Sequence, residues 1–317
     1  MKILVTGGCG YVGSVLVPSL AAQGHEITVI DAQWFGNFLP ELKNVEVVKK
    51  HFSEITIGDL TGIESAIHLA NVANDPSVEL NPVLSWEVNV LHTTQLLNLC
   101  KKIPSIKSFM YASSGSVYGV KEEERVTEDL DLVPISAYNK TKMSAERVCL
   151  SYSDDFDVYC IRPATVCGVS PRMRFDVVVN MFVMHAYRDK KITVLGGDQV
   201  RPNIHIQDMS RVYEHFLNNP RLPSGCYNAG FENISVMSIA ETVAKKFGAE
   251  IDIKPSNDPR SYRQDSSKLI STGYTQSKTV ADAIDEIAAD LESGSVKDDD
   301  RWYTVKWMTA NNIGDAK

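Results

Sequence analysis

The chain has 317 residues, of which 44% are hydrophobic, and this length and composition allow a large buried core. Its formal net charge of -8 argues against a nucleic-acid-binding protein, which needs a basic surface to neutralise phosphates. No apolar run reaches the ~18 residues that a membrane-spanning helix requires. Met1 leads directly into an apolar strand, which leaves no space for a signal peptide, so we expect a cytoplasmic protein. Six widely spaced cysteines without a C-x-x-C pair predict reduced thiols and no metal site.

The first predicted elements are a strand, a glycine-rich turn and a helix. Gly7, Gly10 and Gly13 recur every third residue, and Gly8 with the last two fits the G-x-G-x-x-G spacing. Such a turn lets the backbone approach a pyrophosphate at the helix N-terminus. The next apolar strand ends at Asp31, whose carboxylate is placed to bind both ribose hydroxyls and to repel a 2'-phosphate. These elements predict a dinucleotide site that prefers NAD over NADP; the alternative is an ordinary strand-to-helix turn.

Strands and helix-length segments then alternate along the chain. Strands are predicted at 45–49, 65–71 and 107–112, and helices at 86–102 and 137–152. This alternation implies a parallel sheet with right-handed crossovers. The apolar positions of the first of these helices predict its buried face: Val88, Leu91, Leu96, Leu97 and Leu99.

A tyrosine and a lysine on the second helix form a candidate catalytic pair. Tyr138 and Lys142 are four residues apart, so both project from one helix face. An ammonium group beside a tyrosine stabilises its phenolate, so we expect a lowered pKa for Tyr138 and a role as general base. Ser113 and Ser114 follow the strand at 107–112, where a serine can share the proton. An exposed Tyr and Lys pair without a function is the alternative, but the glycine turn and the strand-end serines favour catalysis.

Together these motifs resemble the extended short-chain dehydrogenase/reductase family, in its nucleotide-sugar epimerase and dehydratase branch, and specifically UDP-glucose 4-epimerase-like proteins. The resemblance covers nearly the whole chain and rests on segments 6–13, 68–70, 113–119, 162–163, 201–208 and 227–230, with Asn89, Tyr138 and Lys142. It implies an α/β fold: a Rossmann-type doubly wound parallel sheet with a smaller α/β substrate-binding lobe. Residues 1–165 would form the NAD-binding domain, with a return segment at about 200–217. Residues 166–317 would form most of the substrate lobe.

The resemblance also implies roles for individual residues. Ser114, Tyr138 and Lys142 would be catalytic. The implied NAD contacts are Gly7, Gly10, Tyr11, Val12, Gly13, Asp31, Leu69, Ala70, Asn89, Tyr138 and Lys142. The implied contacts to a nucleotide-diphosphate sugar are Ser114, Thr165, Asn180, Thr193, Leu195, Arg201 and Arg260, with Asn180 and Arg201 at the diphosphate and Thr193 and Leu195 at the nucleobase. Arg263 is an alternative to Arg260, and Arg172 and Arg174 fit either a substrate contact or a surface loop.

Four positions depart from the family pattern. Gly115-Ser116 stands where members that dehydrate the sugar carry an Asp-Glu pair, so we do not expect elimination of a 6-hydroxyl. His51 replaces the acidic residue expected near the adenine. Thr165 replaces an asparagine near the diphosphate, and Asn71 replaces an alanine beside the cofactor.

The implied reaction is NAD-dependent epimerisation by transient oxidation at carbon 4 of the sugar. Tyr138 would take the 4-hydroxyl proton while NAD accepts a hydride and later returns it to the opposite face. A dehydrogenase or reductase that releases or consumes the 4-keto sugar is the alternative, and a non-catalytic NAD-binding protein is a third. In this family the helices at 86–102 and 137–152 form a homodimer interface. We also expect the aromatic residues after the acidic segment, Trp302, Tyr303 and Trp307, to pack back onto the body.

Overall fold

The centre of the molecule is a seven-stranded sheet in which every neighbouring pair of strands is parallel. The structure, a computed structural model, describes residues 1–256 and 261–314. From edge to edge the strands are β3 (Val45–Lys49), β2 (Glu26–Asp31), β1 (Lys2–Thr6), β4 (Ser65–His68), β5 (Ser108–Ala112), β6 (Asp157–Pro163) and β10 (Gly225–Ala229). The strand order reverses beside β1, and a ligand crevice is expected outside the carboxyl ends of the strands at such a point. The predicted Rossmann-type sheet is confirmed.

Helices cover both faces of the sheet, which explains why its strands are continuous apolar runs. Ile3, Leu4 and Val5 of β1 are fully buried, for example. One face packs against α1 (Gly13–Ala22) and α7 (Ile206–Asn218). The other face packs against α4 (Thr93–Cys100) and α5 (Ala137–Leu150).

The helix predicted at 86–102 is built from three parts. After α2 (Asp75–Leu80), the chain forms α3 (Pro82–Trp86), a π-helical turn at Glu87–His92 and then α4. The π turn inserts an extra residue into the helical repeat and rotates the face that follows it. Val88, Leu96 and Leu97 are buried as predicted, but the prediction is wrong for Leu91, which is 52% exposed.

A second group of elements follows residue 164. A three-stranded sheet contains β7 (Thr165–Cys167), β9 (Val200–His205) and β11 (Glu232–Ser235), and a two-stranded sheet pairs β8 (Lys191–Leu195) with β12 (Glu250–Lys254). The helices of this group are α6 (Val178–Asp189), α8 (Val236–Phe247), α9 (Ser267–Ser271), α10 (Val280–Ser293) and α11 (Thr304–Ala310). The division into two domains at residue 165 remains a prediction.

The chain returns to the main sheet more extensively than the predicted segment at 200–217. Within that segment α7 packs against α1, whereas β9 belongs to the separate three-stranded sheet. Farther along the chain, β10 forms the edge of the seven-stranded sheet beside β6. The two groups of elements are therefore interleaved along the chain.

Two further expectations concern the cysteines and membrane-spanning segments. All six cysteines are free thiols, and five of them are buried. Cys167 is fully buried, and burial raises the pKa of its thiol. Among the described residues, the structure contains no helix whose length and hydropathy would suit a membrane span.

Candidate functional site

A cleft of about 610 Å³ lies at the carboxyl ends of β1, β4 and β5 and continues along the second group of elements. Its volume is within the range of small-molecule sites, about 300–1,000 Å³. Most residues predicted from the sequence line it: Gly7, Gly10, Tyr11, Val12, Gly13, Leu69, Ser114, Tyr138, Lys142, Thr165, Thr193, Leu195 and Arg201. The fold thus brings together residues that are up to 194 positions apart, from Gly7 to Arg201.

The glycine turn requires glycine for steric reasons. Gly7 has a φ of +73°, and a Cβ at this position would lie 2.5 Å from the backbone nitrogen of Ala70. A Cβ at Gly13 would lie 2.5 Å from Gly8. The turn therefore packs closely on the loop after β4 and begins α1 beside the cleft. This arrangement fits a dinucleotide pyrophosphate at a helix N-terminus.

Asp31 lies at the end of β2 and lines a smaller cavity beside the cleft. Its carboxylate accepts hydrogen bonds from the backbone N–H of Cys9, at 2.9 Å, and of Gln33, at 2.6 Å. Burial raises the pKa of Asp31 above its ordinary value, while these two N–H groups act in the opposite direction. Ala70 lines the same smaller cavity. The glycine turn and Asp31 are thus physically joined through Cys9.

His51 also lines this smaller cavity, where the family pattern suggested an acidic residue. Its ring stacks on Phe52 at 5.0 Å and meets the edge of His92 at 5.3 Å between centroids. Burial, followed by the neighbouring His92, lowers the pKa of His51, so its imidazole is uncharged at neutral pH. The cavity wall here is therefore aromatic and neutral.

Ser114, Tyr138 and Lys142 lie together at the centre of the cleft. Ser114 follows β5, and Tyr138 and Lys142 project from the first turns of α5. The Ser114 hydroxyl interacts with Tyr138 and acts to lower its pKa. The Nζ of Lys142 donates to the carbonyl of Ala112 at 2.7 Å and lies 5.9 Å from the centroid of the Tyr138 ring. The predicted clustering of the three side chains is therefore present.

The expected effect of Lys142 on Tyr138 is not present. Burial raises the pKa of Tyr138, outweighing the opposing hydrogen bond from Ser114 and the positive charge of Arg174. Burial also lowers the pKa of Lys142 to about 7. Lys142 is therefore only partly charged at neutral pH and does not dominate the ionisation of Tyr138. The predicted downward shift is wrong for the protein without ligands, because spacing along a helix does not reveal desolvation.

The pKa of Lys142 predicts a specific dependence of stability on pH. Below pH 7 both the folded and the unfolded chain hold this proton, and the cost of burying the ammonium is fully present. Between pH 7 and about 10.4 the unfolded chain holds more protons, so the free energy of unfolding rises by up to about 1.4 kcal/mol per pH unit. We expect wild-type protein to gain stability over Lys142→Met across this range. Urea unfolding without NAD measures the difference, and a pH-independent difference would contradict the assignment.

A buried ion pair fixes the elements that carry these groups. Glu146 of α5 accepts a hydrogen bond from the Ser113 hydroxyl at 2.7 Å. Arg162 of β6 donates to both carboxylate oxygens of Glu146, at 2.9 and 2.6 Å, and to the hydroxyl of Tyr118 at 2.6 Å. The Glu146 and Arg162 side chains are 2% and 4% exposed. The four-residue spacing of Lys142 and Glu146 places both side chains on one face of α5, which is a sequence signal for this role.

Asn89 does not reach the cleft. Its Oδ1 accepts from the Val72 N–H at 2.8 Å, and its Nδ2 donates to the Val72 carbonyl at 3.0 Å and to the Thr141 hydroxyl at 3.1 Å. All of these contacts are buried and internal. Asn89 therefore links the loop after β4 to α5 and does not line the cleft, and its implied contact with the cofactor stays a prediction.

Asn180 has an equally internal position. Its Nδ2 donates to the Tyr11 hydroxyl and to the Arg174 carbonyl, both at 2.9 Å, and its Oδ1 accepts from the Gly168 N–H at 3.1 Å. The Tyr11 hydroxyl in turn donates to the Gly168 carbonyl at 2.7 Å. Asn180 therefore joins the glycine turn to the loop after β7 and does not line the cleft.

The sequence did not decide whether Arg172, Arg174 and Arg263 contact the substrate, and the structure places them differently. Arg172 and Arg174 both line the cleft, whereas Arg263 is exposed and outside it. Burial, followed by the charge of Arg174, lowers the pKa of Arg172 to about 9, so Arg172 is still a cation at neutral pH. Arg172 Nε is buried and has no hydrogen-bond partner among the described residues. Within the described part of the chain, this buried cation has no carboxylate partner in a salt bridge, which fits an anionic ligand. Arg260 lies outside the described residues.

The parallel sheet, the glycine turn and the Ser-Tyr-Lys cluster define a dinucleotide-binding α/β protein with a candidate proton-transfer site. The chain belongs to the NAD dependent epimerase/dehydratase family, which matches residues 3–230. This membership confirms the predicted family and its cofactor, NAD.

The relatives of this chain include proteins named as UDP-sugar decarboxylases and as UDP-sugar epimerases. A UDP-glucuronic acid decarboxylase 1 from Danio rerio is 29% identical over 69% of this chain and 54% of its own length. An uncharacterized UDP-glucose epimerase, YtcB, from Bacillus subtilis is 30% identical over 77% of this chain and 81% of its own length. The structure of UDP-glucuronic acid 4-epimerase from Bacillus cereus with UDP-glucuronic acid and NAD is 26% identical, has a TM-score of 0.82, and matches over 92% of this chain and 99% of that one. The chain spans about half the length of UDP-glucuronic acid decarboxylase 1 from Danio rerio and from Xenopus tropicalis.

Proposed function

We propose that this protein is a UDP-sugar epimerase that inverts carbon 4. The observation that carries the proposal is the environment of the Ser114 hydroxyl. It lies 2.7 Å from the Ser116 hydroxyl, with Gly115 between the two serines, and it acts to lower the pKa of Tyr138. Donors and acceptors suited to moving one hydroxyl proton are therefore present, without an acid next to Ser114.

The carboxylates of the cleft support the same conclusion. Within the described ranges, two carboxylates line the main cleft, Asp75 and Asp176. Asp75 accepts a hydrogen bond from the hydroxyl of Ser136, and Asp176 pairs with Arg174 at 2.9 Å. Neither follows Ser114 directly, the position at which the dehydrating members of the family carry their acid and base. Epimerisation needs only reversible proton and hydride transfer at one carbon.

Each residue of the cluster has a defined role in the proposed reaction. Tyr138 Oη accepts the proton of the sugar 4-hydroxyl, and Ser114 hydrogen-bonds the same oxygen as its charge develops. Lys142 is held beside Tyr138 by its hydrogen bond to the Ala112 carbonyl. Bound NAD supplies the hydride acceptor and, in the reverse direction, the hydride donor. Burial raises the pKa of Tyr138, so its phenol is a suitable acid for returning the proton, whereas accepting the 4-hydroxyl proton requires its phenolate form.

The substrate occupies the part of the cleft away from the glycine turn in this proposal. Thr193 and Leu195 of β8 flank the nucleobase, and Arg201 of β9 binds the diphosphate, for which a guanidinium is well suited. Thr165 also lines the cleft. Asn180 supports the site indirectly, through its hydrogen bond to the Tyr11 hydroxyl.

A product analysis tests the proposal. The purified protein is incubated with NAD and, separately, UDP-glucose, UDP-glucuronic acid or UDP-N-acetylglucosamine, and the sugars are followed by NMR together with the absorbance of reduced nicotinamide. We expect a sugar inverted at carbon 4 without accumulation of NADH. A keto sugar with stoichiometric NADH would instead establish a dehydrogenase, and a pentose with carbon dioxide would establish a decarboxylase. Either result would overturn the epimerase assignment.

We also propose that the protein is a homodimer in the cytoplasm. The surface formed by α3 and the π turn carries exposed apolar side chains: Val83, Trp86 and Leu91. It lies beside α5, so the two predicted interface helices are neighbours. Burying this apolar surface against a second copy would remove it from water. Sedimentation velocity tests this assembly, and a monomer at all concentrations would contradict it.

A further inference from the structure

Residues 300–314, called the strap below, cross from the second group of elements to the loop that follows Asp31. The strap contains a short turn at Asp300–Trp302 and α11. The indole Nε1 of Trp307 donates to the backbone carbonyl of Trp34 at 2.7 Å. The guanidinium of Arg301 lies 4.7 Å from the centroid of the Phe38 ring. One side of the strap is thus fixed to the loop beside the predicted adenosine site.

The strap is also fixed to the loop at residues 172–176. The Trp302 carbonyl accepts from the Phe175 N–H at 2.9 Å, and the Thr304 N–H donates to Asp176 Oδ2 at 3.1 Å. An Nη of Arg172 lies 3.5 Å from the Thr304 hydroxyl. The strap therefore connects two parts of the cleft wall that are far apart in sequence. The sequence-based expectation that Trp302 and Trp307 pack onto the body is confirmed.

Part of the strap forms the wall of the cleft itself. Thr304 and Met308 line it, together with Trp34 and Phe35 of the loop, and Met308 is only 2% exposed. Trp34 and Phe35 also line the smaller cavity that contains Asp31. Past α11, the Gly314 carbonyl accepts a hydrogen bond from Asn81, which caps α3. The strap is thus attached at both ends and passes beside the region assigned to NAD.

We propose that the strap is part of the NAD site and controls release of the cofactor, with Thr304 and Met308 facing the dinucleotide. Release then requires the strap to detach from Trp34 and from Asp176. This inference rests on the proposed placement of NAD between the glycine turn and Asp31. Retention of NAD suits an epimerase, which regenerates its oxidised cofactor in every cycle and gains nothing from exchanging it.

Thermodynamic linkage allows the proposal to be tested on the strap as well as on NAD. If closure of the strap strengthens the binding of NAD, then bound NAD must stabilise the closed strap by the same free energy. Backbone amides of residues 300–314 should therefore exchange their hydrogens more slowly with NAD than without it. This measurement requires no sugar and no turnover.

The experiment measures the rate constant of NAD dissociation by stopped-flow fluorescence in the absence of sugar. Trp307→Ala removes both the hydrogen bond to Trp34 and the packing of the indole, and we expect dissociation to become roughly 10-fold faster or more, which corresponds to losing about 1.4 kcal/mol of closed-state stability. Trp307→Phe keeps an aromatic ring without the donor and should give an intermediate rate. Thr309→Ala, an exposed position on the same helix, should release NAD as the wild type does.

Two results would overturn the inference. One is a Trp307→Ala protein that releases NAD at the wild-type rate, and the other is hydrogen exchange in residues 300–314 that is unaffected by NAD. If Trp307→Ala does not fold, Trp307→Phe and Thr304→Val provide the same comparison with smaller changes. Because no sugar is present, these results are independent of whether the protein inverts carbon 4.

Discussion

Replacing Tyr138 with phenylalanine is expected to lower the turnover number by about 10²–10⁴-fold, the usual contribution of a positioned general base. The substitution removes the only atom of this side chain that can exchange a proton with the sugar. The aromatic ring keeps its packing beside Lys142, whose Nζ is bonded to Ala112 and does not depend on the phenol. The affinity for NAD, measured by fluorescence titration, should therefore be retained.

Tyr152→Phe is the matched control. Tyr152 lies just after the end of α5, and its hydroxyl donates to Asn98 at 2.8 Å outside the cleft. This variant should keep wild-type turnover. Substantial activity in Tyr138→Phe would show that another group takes the proton, and a parallel loss of NAD binding would show that the tyrosine acts mainly through the cofactor site.

Replacing Arg162 with alanine is expected to reduce the free energy of unfolding by about 3–5 kcal/mol, because it leaves a buried carboxylate without its counter-charge. Glu146 would keep only the hydrogen bond from Ser113. Tyr118 would also lose the guanidinium that donates to its hydroxyl. Urea denaturation at neutral pH measures the change.

Arg188→Ala provides the comparison at the protein surface. Arg188 pairs with Asp189 and Asp298, but its side chain is 45% exposed, so its removal should cost no more than about 1 kcal/mol. A double replacement, Glu146→Gln with Arg162→Met, should be less damaging than Arg162→Ala because no buried charge remains. Equal losses for Arg162→Ala and Arg188→Ala would contradict the assigned importance of the buried pair.

Several features of this protein were determined by its sequence alone. The spacing of Gly7, Gly10 and Gly13, the position of Asp31 and the four-residue interval between Tyr138 and Lys142 are properties of short segments. They identified the parallel sheet, NAD and the family, because a turn or a helix face is fixed by neighbouring residues. Residues 257–260, which include Arg260, lie outside the described part of the chain. The predicted contact of Arg260 with the substrate therefore stays a prediction.

Other features were decided by the tertiary structure. The pKa of Tyr138 is raised, and that of Lys142 is lowered to about 7, because both depend on burial by residues distant in sequence. Asn89 and Asn180 have suitable chemistry for ligand contacts, but the fold directs their amides to internal partners.

The same distinction applies to the segments that close the cleft. Nothing local marks Arg172 as a cleft residue or Trp307 as a contact of Trp34, since 273 positions separate the last two. Sequence spacing determines which side chains share an element, and therefore which chemistry is available. Only the packing of distant elements determines which of those side chains face the ligand and in which protonation state they do so.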